Sequence, residues 1–194
     1  MPPLRKAYLA GPEVFLRNAA AVGAEKKRIC AAHGIEGLFP LDMSIPENAA
    51  GPARAAAIYR ACLDLLDTAD LVIANMTPFR GPGMDGGTAF EMGYAVHLGI
   101  PVFGYSNCSA DLLARVRRAG PVRTTIVGGT ACHEDEAGLS VEDFGLADNL
   151  MMVGAVHAGG VPVILGDCPP DRPYTDRLYT DLTAFEACVR LAAG

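Results

Sequence analysis

The chain has 194 residues, enough for one domain with a full hydrophobic core. With 51 % hydrophobic and 20 % charged residues, the composition excludes an intrinsically disordered protein. The net charge of −6 and the lack of a long basic run argue against a nucleic-acid partner, and Arg115, Arg117 and Arg118, the densest basic cluster, read as a solvated helix face.

No apolar run approaches the roughly 20 residues of a membrane span, and the start, Met-Pro-Pro-Leu-Arg-Lys, lacks the apolar segment of a signal peptide. A soluble, cytoplasmic protein without membrane attachment is expected. The cysteines at 30, 62, 108, 132, 168 and 188 are scattered, with no Cys-x-x-Cys, and read as reduced, mostly buried thiols. His33, His97, His133 and His157 have no metal-ligand spacing; three of them fall near helix ends. No metal site or cofactor motif is found.

In chain order, Lys6–Ala10 is a first strand stopped by Gly11-Pro12, with Glu13 and Phe15 in the following loop. Asn18 is placed to cap a helix that reaches His33, with Gly34 as its stop. Ile35–Phe39 is a second strand; a long loop from Pro40-Leu41-Asp42 follows, and Pro52 opens a second helix with the apolar positions Ile58, Cys62, Leu65, Leu66 and Ala69. Leu71–Asn75 is a third, buried strand, and the turn-dense loop Met76–Met84 leads into a helix that ends at Gly99. A fourth strand is expected at Ile100–Tyr105 and a helix over 108–119. Val122–Val127 reads as an extra strand and Gly128–Gly138 as an exposed excursion. A helix over Ala147–Ala158, a fifth strand at Val161–Leu165, a turn at Pro169–Pro173 and a closing helix over Thr175–Ala193 complete the pattern.

Strands that alternate with helices predict an α/β fold: a single doubly wound, mostly parallel five-stranded sheet with helices on both faces, flavodoxin-like, in the order 2-1-3-4-5 and as one domain over 1–194. In that order the ends of strands 1 and 3 are neighbours at the switch point, where open α/β sheets bind ligands. Tyr8, Asp42, Asn75, Asp85 and Glu91 are delivered toward that rim.

The central stretch is Asp85-Gly-Gly-Thr-Ala-Phe-Glu91-Met-Gly-Tyr94. Its two carboxylates straddle the crossing from loop to helix, and the glycines between them let backbone approach a ligand. Glu91 has two readings: a solvated helix carboxylate near a favourable dipole, or a nucleophile or general base in a pocket. The apolar helix that follows favours the second. A carboxylate with a tyrosine and a second carboxylate nearby is a nucleophile site suited to glycosidic chemistry at an electron-poor anomeric carbon.

These segments resemble the nucleoside 2-deoxyribosyltransferase family. Tyr8-Leu-Ala-Gly-Pro-Glu-Val-Phe15 is similar to its first strand and loop, and Phe39-Pro-Leu-Asp42 to the loop after its second strand. Asn75-Met-Thr-Pro-Phe-Arg-Gly81 with Asp85-x-Gly-Thr-x-x-Glu91-x-Gly-Tyr94 resembles the central motif, and Asp148-Asn149-Leu-Met the start of a late helix. The resemblance covers about residues 5–165 and implies exchange of nucleobases on 2-deoxyribose by double displacement, without a cofactor. It implies that Glu91 attacks the anomeric carbon, Tyr8 orients Glu91, Asp85 binds the sugar 5′-hydroxyl, and Asn149 reaches the same hydroxyl from a neighbouring subunit of a homo-oligomer. Asp42, Phe15, Gly11 and Asn75 complete the candidate substrate-binding set, for deoxynucleosides and free nucleobases. A mean hydropathy of +0.23 is in keeping with buried subunit interfaces.

Glu91 works best ionised, so a phenol donor and a helix N-terminus both help it. In some relatives an Asp in the second helix handles proton transfer at the leaving base; here Cys62 stands near that position, and Asp42 or water are the alternatives. The rival functions are an N-glycoside hydrolase of deoxynucleosides or nucleoside 5′-monophosphates that uses the same Glu, a phosphoribohydrolase with a Pro-Gly-Gly-x-Gly-Thr-x-x-Glu motif, which Asp85 and Gly83-Met84 interrupt, and a non-catalytic nucleotide-binding domain.

Overall fold

In this computed structural model, residues 4–168 and 177–194 are described. Strand β1 (Arg5–Ala10) pairs in parallel with β2 (Ile35–Leu38) on one side and β3 (Leu71–Asn75) on the other. Strand β4 (Val102–Cys108) then pairs with β3, and the last strand of the sheet, Ile164–Cys168, pairs with β4. All four pairings are parallel, and the expected order holds, with the first and third strands adjacent at the centre.

Side chains that alternate across these strands feed two cores. On one face Ala7, Leu9, Leu71, Ile73 and Tyr105 pack with Ile29 and Cys30 of α1 (Ala19–Ala32) and with Phe185, Cys188 and Val189 near the carboxyl terminus. On the other, Tyr8, Ala10, Val72 and Ala74 pack with Leu66 of α2 (Gly51–Leu66), Met92 of α3 (Gly86–His97) and Val156 in a later helix. Tyr8 thus points toward α2 and α3, the side from which Glu91 arrives.

Several expected elements are displaced for identifiable reasons. The fifth strand of the main sheet starts at Ile164, not Val161, because Pro162 has no N–H for a ladder and pairing begins at Tyr105–Ile164. Of the closing helix, 175–176 lie outside the described residues, as does the turn expected at Pro169–Pro173. The remainder divides into Arg177–Thr180 and Thr183–Ala193. Asp181 breaks it: its side chain accepts from the Thr183 N–H at 2.9 Å, while Asn107 donates to the carbonyls of Leu178 and Asp181.

Residues 120–145 also need correction. Helix α4 (Leu112–Ala119) is followed by β5 (Val122–Val127), β6 (Thr130–Asp135) and β7 (Ser140–Val141), a separate three-stranded antiparallel sheet. Gly128 and Gly129, both at positive φ, make the two-residue turn that joins β5 to β6. The segment read as an excursion is thus a hairpin whose tight turn rests on two adjacent glycines. Helix α5 (Leu150–His157) returns to the main sheet before its last strand, hereafter β8, and the helices α6 (Arg177–Thr180) and α7 (Thr183–Ala193) end the chain.

The expected solvated basic face fails at one of its three arginines. Arg117 and Arg118 are exposed, but Arg115 is buried and ion-paired with Asp148 at 2.8 Å. Its guanidinium also donates to the carbonyls of Pro82, Ala110 and Ala147 at 2.6–2.7 Å. A planar group with several donors in fixed directions can tie three loops together, and that satisfaction is what makes its burial tolerable. No described helix is long and apolar enough to cross a membrane.

Candidate active site

Helix α3 begins at Asp85 because the Asp85 side chain accepts from both the N–H of Thr88, at 2.9 Å, and its hydroxyl, at 3.0 Å. This is an N-cap, and it leaves the other Asp85 oxygen, Oδ1, without a hydrogen bond among the described residues. Five positions into the helix after Gly86, Glu91 turns back toward the sheet. The Tyr8 hydroxyl donates to Glu91 Oε1 at 2.5 Å across 83 residues of sequence. The second oxygen, Oε2, has no hydrogen-bond partner among the described residues and is not sealed from solvent, since Glu13 Oε2 is the buried unpartnered oxygen among the described side chains.

Burial raises the Glu91 pKa to about 7; the Tyr8 hydrogen bond opposes that rise, and the Asp85 charge adds to it. The phenol therefore helps the carboxylate ionise, as expected, but desolvation outweighs it. Burial first, and then the neighbouring Glu91, push the Tyr8 phenol far above its ordinary range, so Tyr8 remains a neutral donor. Cys62 of α2 lies against the Tyr8 hydroxyl, and burial raises its thiol as well.

The loop after β1 is seated by a network that the sequence does not announce. Glu13 and Lys26 are fully buried and ion-paired at 2.7 Å. The same Glu13 oxygen accepts from Asn75 at 3.0 Å and Tyr105 at 2.8 Å, and the Lys26 ammonium sits 4.6 Å from the centre of the Phe185 ring. Asn75 is buried too, its amide oxygen taken by the Thr77 N–H at 2.9 Å. Both ends of the Asn75 amide are thereby engaged in holding the loops. Gly11 belongs to this arrangement: a Cβ there would come within 2.0 Å of Glu13 Oε2 and 2.9 Å of the Asn75 Cβ.

Phe15, at the end of that loop, is 56 % exposed and stacks on Phe79 with ring centres 5.2 Å apart. Asp42 is paired with Lys27 at 2.7 Å on the outer side of α1, and no hydrogen bond joins it to Tyr8 or Glu91. Asn149 caps α5 by accepting from the Met151 N–H at 3.0 Å and donates to Glu142 at 2.5 Å. Its neighbour Asp148 accepts from the Met84 N–H at 3.0 Å, which fastens the start of α5 to the loop that ends at Asp85.

The structure thus brings Tyr8, Glu91 and Asp85 together and ties Gly11 and Asn75 to their support. The sequence places Glu13 in the loop after the first strand but gives neither it nor Lys26 a structural role, because a lysine in a helix and a glutamate in a loop look ordinary locally. Their burial follows only from packing α1 and α7 on the sheet. Among the described residues, no three His, Cys, Asp or Glu side chains are grouped to hold a metal ion.

Residues 7–151 match the sequence profile of the family described as nucleoside 2-deoxyribosyltransferase. This chain is a member of that family. A protein of Schizosaccharomyces pombe is 34 % identical over 164 residues, which span 79 % of this chain and 77 % of the yeast protein. Among solved structures, a 2-deoxyribosyltransferase from Leishmania mexicana superposes with a TM-score of 0.58 at 32 % identity, over 76 % of this chain and 85 % of the other. The matched span contains Tyr8, Asp85, Glu91 and Asn149, so the buried phenol–carboxylate pair lies within the shared fold of this family of glycosyl-transferring enzymes.

Proposed function

We propose that the protein exchanges nucleobases on 2-deoxyribose by double displacement at Glu91, with deoxynucleosides and free nucleobases as substrates. The observation that carries this reading is the 2.5 Å hydrogen bond from Tyr8 to Glu91 Oε1, with Oε2 unpartnered among the described residues and not sealed from solvent. Oε2 attacks C1′ of the deoxynucleoside, the C1′–N bond breaks, and its electron pair leaves with the base, which takes up a proton from water. A glycosyl ester of Glu91 results. A nitrogen of the incoming base then attacks C1′ from the opposite face, the ester C–O bond breaks, and that nitrogen gives its proton to solvent. Two inversions give net retention.

Desolvation makes Glu91 a stronger nucleophile once ionised. Tyr8, neutral throughout, stabilises the carboxylate before attack and again when it is expelled. The free oxygen of Asp85 is suited to the sugar 5′-hydroxyl, and its negative charge disfavours a 5′-phosphate. In this reading the chain acts as one domain over 1–194, in a cytoplasmic homo-oligomer for nucleoside salvage, with Asn149 turned toward a neighbour's site. Water competes as a weak acceptor when no base is present and gives a side hydrolase activity.

The test is direct. The protein is incubated with deoxyinosine or thymidine, with and without adenine, and products are separated by chromatography. Deoxyadenosine formed by the wild type but not by Glu91→Ala, together with a deoxyribosyl adduct on the intact wild-type protein by mass spectrometry, is the expected result. Free base at the same rate with and without adenine would make the protein a hydrolase and overturn base exchange.

A further inference from the structure

Arg80 has a feature that the reaction at Glu91 does not use. Among the described residues it is the one non-glycine at positive φ, 55°. Such backbone persists only where its surroundings hold it, and it gathers at functional sites. Here the loop is held from both sides: the Phe79 N–H donates to the Gly83 carbonyl at 2.9 Å, and the Tyr179 hydroxyl donates to the Pro78 carbonyl at 2.6 Å. The result is to lay the Arg80 guanidinium over two stacked rings, 5.1 Å from the centre of Phe15 and 4.6 Å from that of Phe79. The guanidinium is exposed and forms no ion pair with any described residue.

The place gives this geometry its meaning. Phe15 follows β1, and Phe79 and Arg80 follow β3, so the two loops that flank the switch point meet through this stack. An open aromatic surface is what a nucleobase packs on. A guanidinium held against rings by cation–π attraction, with no ion-pair partner among the described residues, keeps N–H groups for a ligand, and their planar fork matches a carbonyl oxygen beside a ring nitrogen. In purines, O6 and N7 of a 6-oxopurine form such a pair of acceptors, whereas a 6-amino group is a donor and opposes it.

Resting on the base-exchange reading, we infer that Arg80 is a specificity-determining residue that selects 6-oxopurines, hypoxanthine and guanine, over adenine. It is also the cation that stabilises negative charge on the departing base. The Asp85 and Glu91 carboxylates near the sugar side make a phosphate the less favourable occupant.

The experiment compares kcat/KM for deoxyinosine and deoxyadenosine as donors to a common pyrimidine or purine acceptor, in the wild type, Arg80→Met and Arg80→Lys. A bidentate contact of this kind discriminates by about 5- to 150-fold. The deoxyinosine-to-deoxyadenosine ratio is therefore expected to fall at least about fivefold in Arg80→Met, with little recovery in Arg80→Lys, which keeps the charge but not the fork. A ratio that moves less than about fivefold overturns the assignment. So does a larger loss on deoxyinosine 5′-monophosphate than on deoxyinosine, which would make Arg80 a phosphate clamp. Calorimetry with free hypoxanthine and free adenine decides the matter separately. If the wild type exchanges no bases, the transfer reading fails, but tighter hypoxanthine binding that is lost in Arg80→Met still supports Arg80. Hypoxanthine that binds no better than adenine, or no binding of either base, overturns it.

Discussion

Replacing Tyr8 by Phe removes one hydroxyl from the site and keeps the ring that packs beside Leu66 and Met92. The lost contact is the 2.5 Å donation to Glu91 Oε1, which works against the burial that holds the Glu91 pKa at about 7. A hydrogen bond to a charged group contributes about 1.5–3 kcal/mol, which at 1.36 kcal/mol per pH unit is about one to two units. In Tyr8→Phe the Glu91 pKa is thus expected near 8 to 9. In the wild type about a tenth of Glu91 is ionised at pH 6 and about half at pH 7, so kcat/KM should rise about fivefold from pH 6 to pH 7 and about tenfold by pH 8, where it levels off. In the variant the whole limb moves upward, with a loss of about 10- to 100-fold at pH 6 that shrinks steadily by pH 9. Tyr8 itself adds no fall at high pH in this range, because its own pKa lies far above the ordinary phenol value. The assay is initial-rate base exchange from deoxyinosine to adenine in a buffer series. A loss of the same size at every pH, with the limb still near 7, would refute the claim that the phenol tunes the carboxylate.

Two further outcomes concern stability. The Glu91 carboxyl binds its proton more tightly in the folded chain than in the unfolded one, so stability from this group is complete below pH 4.5 and is lost as pH rises toward about 7. The loss amounts to about 3 kcal/mol at most, and Glu91→Gln, which has no charge to bury, should unfold about 6–12 °C above the wild type at pH 8 and at nearly the same temperature at pH 4.5; a difference independent of pH in thermal scans would refute it. Lys26→Met leaves the fully buried Glu13 carboxylate without its cation and should cost about 3–5 kcal/mol in urea unfolding. Adding Glu13→Gln, which neutralises the orphaned charge, should return much of that, and a double variant no more stable than Lys26→Met would show that the ion pair is not what holds the loop.

Local rules govern the part of this protein that residue order alone makes readable. Alternation of short apolar runs with helical stripes predicts a doubly wound parallel sheet, and the order with β1 beside β3 follows from connection rules. The six-residue step from Asp85 to Glu91 needs only a helix start to put one carboxylate at its cap and the other inside its second turn. The family resemblance then indicated that Tyr8 meets Glu91, a pairing that spacing alone does not contain. The tertiary structure decided what depends on which distant surfaces meet. Lys26 and Glu13 are thirteen residues apart in a helix and a loop that look solvated, and only the packing of α1 and α7 on the sheet encloses them with Asn75 and Tyr105. Arg115 reads as a surface arginine until Asp148, 33 positions later, folds over it. The glycine pair at 128–129 is a hairpin signal, but flanking strands rich in Thr, His and acidic residues hide it. Even the ionisation of Glu91 belongs to this second class. A phenol donor, indicated by the resemblance, favours the charge, yet the depth of burial that outweighs it exists only once α3 lies against β1.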